Sequence, residues 1–201
     1  MIGIIDYGMG NLRSVENALK ELGAEALISD DEAVLADCEK IILPGVGAFG
    51  DCVFNLRQKK LDRFVTRCIE EGKPLLGICV GMQMLFEESE EKGVHQGLGF
   101  FTGRIVRFDT DLPVPQIGWN ELILKEHPLR NRLRKNPYVY YVHSYHAADY
   151  QEEDLIGWSY YGDVKVPSLF VKGHVMAAQF HPEKSGEEGL KILKYFLEDF
   201  V

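Results

Sequence analysis

Apolar and polar positions follow two alternating periods along the first half of the chain. Residues 1–6 form a short apolar run, and residues 12–22 then place Leu12, Val15, Leu19 and Leu22 on one helical face before Gly23 ends it. EALISD reads as a strand, 31–38 as a short helical piece, and KIILPG as an apolar strand closed by a Pro-Gly turn. Two helical segments run from about 50 to 71 and stop at Gly72; PLLGIC is the next strand, and a helix is predicted from about Gly81 to Glu91. Strands that are apolar throughout, rather than at every second position, are buried on both faces. The pattern predicts an α/β fold with a mostly parallel central sheet flanked by helices.

The texture changes after residue 97. FFTGRIVRF, GWNELIL, YVYYVHSY, LIGWSYY, SLFVKG and HVMAAQF follow one another with Gly, Pro and Asp between them, as antiparallel strands and hairpins do. A last helix is predicted from Ser185, with Glu188 three residues on as a capping box, and it carries Leu190, Leu193, Phe196, Leu197 and Phe200. With no internal repeat or linker in view, the β-rich half is expected to join the core of the first, giving one domain over residues 1–201.

Composition narrows the function. A formal charge of -9, with only a short basic run from Arg130 to Lys135, argues against a nucleic-acid binder, which needs clustered cations to neutralise phosphates. The start, MIGIIDYGMGN, has no basic flank and long apolar core, and no apolar stretch reaches membrane-spanning length, so a cytosolic protein is expected. Cys38, Cys52, Cys68 and Cys79 lack both the paired spacing of a zinc site and the density of a disulfide scaffold. No metal and no cofactor is expected.

Cys79 stands apart from the other three. It lies where PLLGIC stops and a helix is predicted to start, fenced by Gly77 and Gly81 as G-x-C-x-G, the cysteine form of a nucleophile elbow. Free cysteine is most often a small buried hydrophobe, and that reading is kept for Cys38, Cys52 and Cys68. At Cys79 the helix start favours thiolate over thiol, and Gln83, one turn on, can reach a substrate lying over the sulfur.

A thiolate nucleophile needs a proton partner, and QFHPEKS at 179–185 supplies one. His181 can shuttle the proton while Glu183 orients its ring, with the i, i+2 spacing putting both on one side of an extended segment. His143 and His146 compete for this role but have no carboxylate at so near an offset. The amide of Val80 is one oxyanion donor, and PGVG at 44–47, which also closes a parallel strand, supplies the second from Val46 or Gly47.

PGVGAF, GICVGMQ and QFHPEKS, in this order and spacing, resemble the class I, triad-type glutamine amidotransferases. DYGMGNLRSV at 6–15, LPGVGAFG at 43–50, QIGWNEL at 116–122 and YYVHSYH at 140–146 are similar, more narrowly, to the glutaminase subunits of imidazole glycerol phosphate synthase. The resemblance implies a flavodoxin-like sheet, Cys79 as the nucleophile that forms a glutamyl thioester, His181 as acid and base, and Glu183 as its orienter. It implies that Gly47, Gln83, His143, Ser144 and Tyr145 lie near the glutamine. The implied partner is a (β/α)₈-barrel cyclase, bound as a heterodimer, which uses the ammonia in histidine biosynthesis to form imidazole glycerol phosphate and an aminoimidazole carboxamide ribonucleotide.

Two positions depart from the family pattern. Val80 replaces a common leucine, with little consequence because only its amide acts. Val46 stands where many relatives carry a second glycine, and a β-branched residue disfavours positive φ. This suggests a PGVG amide that points away from the oxyanion at rest and turns inward when the liganded partner docks.

Other readings remain open at this stage. GMGNLR at 8–13 starts like a dinucleotide-binding loop, but Arg13 stands in the place of its third glycine, so it reads as a strand-to-helix turn. A glutaminase serving another synthase, of the pyridoxal phosphate or anthranilate type, and a non-catalytic interaction module are the remaining alternatives. Trp119, beside polar Asn120 and Glu121, marks either the docking face or a core tryptophan.

Overall fold

The computed structural model describes residues 1–201, and its first half follows the predicted alternation. In chain order it runs β1 (Ile2–Ile5), α1 (Leu12–Glu21), β2 (Ala26–Ser29), α2 (Glu32–Ala36), β3 (Lys40–Leu43), α3 (Phe49–Gln58), α4 (Leu61–Glu70), β4 (Leu75–Ile78) and α5 (Val80–Gln83). The second half adds β5 (Phe86–Ser89), β6 (His95–Gln96), β7 (Phe101–Arg107), β8 (Gln116–Glu121), β9 (Ile123–Leu124), β10 (Tyr138–His143), β11 (Tyr145–Ala148) and β12 (Leu155–Tyr161). It closes with β13 (Val164–Lys172), β14 (Val175–Ala178) and α6 (Gly186–Glu198).

The main sheet has the order β2-β1-β3-β4-β14-β13-β12-β9. Its first five strands are mutually parallel and the last three run antiparallel to their neighbours. The parallel part has the flavodoxin-like order, with β14 from the far end of the chain in fifth place. β1, β4 and β14 are buried at every position, which is why their sequences carry no alternation. A β8–β10 pair and a four-stranded sheet, β11-β7-β5-β6, complete the β-rich half. One cluster of 50 buried apolar residues draws on both halves. No helix is long and apolar enough to cross a membrane.

Two predicted features are corrected. The helix expected over 81–91 is a single turn, after which the chain turns into β5. The carbonyls of Met84, Leu85 and Phe86, which would accept bonds from the next helical turn, accept instead from the amides of Leu98, Gly99, Phe100 and Phe101. Phe86 and Phe101 then stack in the core, 5.4 Å between centroids. The capping box at Ser185 does not form either. Ser185 Oγ donates to the His181 carbonyl (2.6 Å) and accepts from the Tyr140 amide (2.9 Å), while Glu188 accepts from Arg134 and Lys191. The serine braces the preceding turn rather than the helix it opens.

Candidate active site

Three neighbouring parallel strands end on the same edge of the sheet, and each hands its chain to a different part of one cavity. β3 runs into Pro44–Gly47, β4 into Cys79, and β14 into Gln179–His181. The cavity holds about 300 Å³ and is lined by Cys79 and His181, by Val46, Gly47 and Val80, and by Gln83, His143, Ser144 and Tyr145. Glu183, the remaining candidate, sits behind His181. The volume is at the lower end of small-molecule sites.

Cys79 has φ 54° and ψ -114°, a conformation non-glycine residues rarely adopt. The strain is imposed by packing: a Cβ on Gly81 would lie 1.9 Å from the Leu43 carbonyl oxygen, so only glycine lets the elbow press against β3. Cys79 is 4% exposed and lines the cavity, at the edge of the apolar core. α5 is only one turn long, so it brings little helix dipole to Cys79.

His181 Nδ1 lies 2.8 Å from Glu183 Oε1, both side chains being buried. The pairing arises from a tight 3-10 turn over Pro182–Lys184, not from the extended segment predicted. Two contacts hold the turn: the His181 amide donates to the Tyr140 carbonyl of β10 (2.9 Å), and Ser185, at the turn's own end, donates to the His181 carbonyl. Burial alone disfavours a charged ring, but Cys79 and Glu183 outweigh it and push His181 up to about 10. Its Nε2 makes no hydrogen bond within the protein and is left for the cavity.

Gln83 lines the cavity, but its amide nitrogen is committed, donating to Gln179 Oε1 (3.0 Å) and the Tyr145 carbonyl (3.1 Å). Gln179 in turn directs its own amide at Cys79 Sγ, 3.9 Å away. Gln83 therefore supports the wall, and Gln179, inside the quoted QFHPEKS motif but assigned no role there, is the neighbour of the sulfur. His143 has Nδ1 2.7 Å from the Tyr145 carbonyl and Nε2 2.9 Å from Gln116 Oε1; burial pushes it down to about 4, so the neutral ring donates its single N–H to only one of these oxygens. It is a wall residue and not a rival base. His146 lies outside the cavity.

Pattern reading missed Glu91, Pro115 and Val142, which also line the cavity. Glu91 accepts from the Phe49 amide at the start of α3 (2.7 Å), and it reaches the site because β5 replaces the expected helix. The sequence signal for it, an acidic run after GMQMLF, is indistinguishable from a solvated face. No cluster of three His, Cys, Asp or Glu side chains is placed to hold a metal ion. GMGN leads from β1 into α1, with Gly10 close to Pro44, and Leu12 and Arg13 already lie in the helix.

The PGVG peptide between Gly45 and Val46 has a defined orientation. The Gly45 carbonyl accepts from the Val80 amide at 3.3 Å, so by the trans geometry of the peptide the Val46 N–H points the other way. The donor expected to hold an oxyanion is thus engaged by a neighbouring carbonyl.

A model of the class I glutamine amidotransferase family matches residues 3–200. The chain is 47% identical over 201 residues to the imidazole glycerol phosphate synthase subunit HisH of Sulfurimonas denitrificans, covering 98% of this chain and 97% of that protein. It is 50% identical over 197 residues to the Bacillus cereus protein of the same name, covering 98% and 93%. A solved glutamine amidotransferase structure superposes with a TM-score of 0.78 at 24% identity, over 98% of this chain and 97% of that one. PurLQS from Thermotoga maritima does so at 0.74 and 23%, over 98% and 96%; at such identities these two show the fold alone. On this family match and these two relatives, the chain belongs to the class I glutamine amidotransferase family, in the group of imidazole glycerol phosphate synthase HisH subunits.

Proposed function

We propose that this chain is a single cytoplasmic glutamine amidotransferase domain that hydrolyses glutamine to glutamate and ammonia through Cys79, His181 and Glu183. The ammonia passes to a (β/α)₈-barrel cyclase partner in a heterodimer that forms imidazole glycerol phosphate. The observation that carries the reading is the convergence of Cys79 and a Glu183-held His181 on one cavity.

The chemistry follows from these groups. The Cys79 thiolate attacks the carboxamide carbon of glutamine, and the C=O electron pair moves onto oxygen. His181, protonated at neutral pH, gives its proton to the nitrogen as the C–N bond breaks, releasing ammonia and leaving a glutamyl thioester. Water then attacks the thioester, His181 takes its proton, and glutamate leaves as the C–S bond breaks. Glu183 keeps the ring oriented in both steps. The amides of Val80 and of the Val46–Gly47 segment stabilise the oxyanion once the Gly45 carbonyl has turned away. Glu91, the carboxylate on the cavity wall, is suited to the α-ammonium of the substrate.

The docking face is assigned to the β8–β10 pair. Trp119 is 51% exposed there, not a core residue, and Ile117 and Tyr138 are exposed beside it. Exposed aromatic and aliphatic side chains grouped on one surface are typical anchors of a protein interface.

The test is incubation of the chain, alone and with its partner, with a diazoketone analogue of glutamine, followed by peptide mapping. Label on Cys79 alone is expected; label elsewhere, or none, contradicts the assignment.

A further inference from the structure

We propose that Tyr7 and Cys52 are positioning residues for the oxyanion peptide: they pin the peptides on either side of Gly45–Val46 so that this one peptide turns while its neighbours stay fixed. The inference rests on the glutaminase reading above and on the PGVG segment supplying an oxyanion donor.

Three successive carbonyls of the loop are each engaged by a donor from a different element. Tyr7, just beyond β1, donates its hydroxyl to the Pro44 carbonyl at 2.8 Å. The Val80 amide at the elbow donates to Gly45 at 3.3 Å. Cys52 of α3 donates its thiol to Val46 at 3.5 Å, an ordinary length for sulfur. The middle contact is long for N–H···O, while the two flanking ones are at normal lengths for their atoms.

Both flanking groups are dependable donors. Tyr7 and Cys52 are buried side by side beneath the loop; burial pushes the Tyr7 hydroxyl far above its usual range and the Cys52 thiol up to about 11, so each keeps its proton at neutral pH. Neither has another task in the reaction. Cys52 is thus more than the inert buried thiol that its sequence surroundings suggested.

The loop also lacks room to slide. A Cβ on Gly45 would come within 2.6 Å of the Gly81 nitrogen and 2.8 Å of the Tyr7 hydroxyl. The motion left to it is rotation in place, about the line joining the Gly45 and Val46 Cα atoms. That rotation changes ψ of Gly45 and φ of Val46 and leaves the Pro44 and Val46 carbonyls where they are. The pins therefore survive the turn, and they set where the Val46 amide arrives relative to Cys79.

The test compares Tyr7→Phe, Cys52→Ala and Cys52→Ser in glutaminase assays of the free chain and of the complex with the cyclase and its nucleotide ligand, with thermal unfolding of each. Tyr7→Phe and Cys52→Ala are expected to lower kcat of the complex by about tenfold or more, because small misplacement of a catalytic group is costly, with KM for glutamine within about twofold. The free chain does not gain activity, so the ratio of stimulated to basal rate falls. Cys52→Ser keeps a donor and most of the ratio; should Tyr7→Phe fail to fold, the two Cys52 variants decide the matter. A rise in the free chain's rate with the complex unchanged would make these contacts locks of the resting state, and an unaltered ratio would make them packing; either overturns the proposal. An unsubstituted complex that neither hydrolyses glutamine nor is labelled at Cys79 by the diazoketone overturns the glutaminase reading itself, and the pins with it.

Discussion

The Gly45 carbonyl oxygen accepts a hydrogen bond from the Val80 amide, 3.3 Å away, and so occupies the donor that an oxyanion above Cys79 needs. The proposed nucleophile, acid and orienter are assembled, but the proposed anion-binding element is turned against itself. The free chain is expected to be a poor glutaminase, and docking of the liganded cyclase to raise its rate. A gain of about a thousandfold corresponds to roughly 4 kcal/mol of transition-state stabilisation, within reach of oxyanion donors. Steady-state rates with and without the partner measure it, and full activity of the isolated chain would contradict it.

Val46→Gly should raise the free chain's rate. Glycine reaches positive φ without the penalty of about 1–2 kcal/mol that a side chain incurs, so the inward-turned peptide becomes roughly tenfold more populated. The complex, already turned, should change little. Basal rates of the two chains settle the point.

Gly81→Ala should destroy the elbow. Its Cβ would meet the Leu43 carbonyl oxygen at 1.9 Å, and the loss is expected to be roughly 3 kcal/mol of stability together with almost all activity. Chemical unfolding and glutamine hydrolysis report the two effects separately.

His181 is held up to about 10 by Cys79 and Glu183 against the opposing effect of burial. In the proposed reaction its imidazolium donates to the leaving amine, so activity should fall on the alkaline side as pH rises through about 10. Because the value is raised on folding, its contribution to stability is complete below the ordinary histidine value of 6.5 and is lost as pH rises through about 10. Glu183→Gln removes a charge that favours the imidazolium and should move the alkaline limb to lower pH. A pH–rate profile of the variant complex that does not move would remove Glu183 from this role.

Trp119→Ala should weaken binding of the cyclase by about tenfold to a hundredfold, or roughly 1.4–3 kcal/mol, as truncation of an interface anchor does. Labelling of Cys79 in the free chain should be unaffected. Titration calorimetry with the partner supplies the affinity, and an unchanged value would place the docking face elsewhere.

Local pattern carried much of this molecule. The apolar runs marked β1, β3 and β4, the glycines around Cys79 marked the tight turn, and His-Pro-Glu marked the buried imidazole–carboxylate pair, because each depends on residues adjacent in the chain. The expected helix over 81–91 failed for the opposite reason: the donors that draw Met84, Leu85 and Phe86 into β5 come from residues 98–101, and nothing local announces them. Glu91 was missed with it, since a carboxylate in an acidic run gains meaning only once the chain is turned toward a cavity.

What the sequence determined alone was the set of reactive groups and the backbone conformations they require, since side-chain chemistry and φ preferences are properties of residues and their nearest neighbours. The tertiary structure decided the rest. Parallel pairing brought the ends of β3, β4 and β14 to one edge and so placed His181 opposite Cys79. The Val80 amide, from the far side of the elbow, holds the Gly45 carbonyl in its resting direction. Such choices rest on hydrogen bonds between groups far apart in sequence, whose partners exist only after the chain has folded.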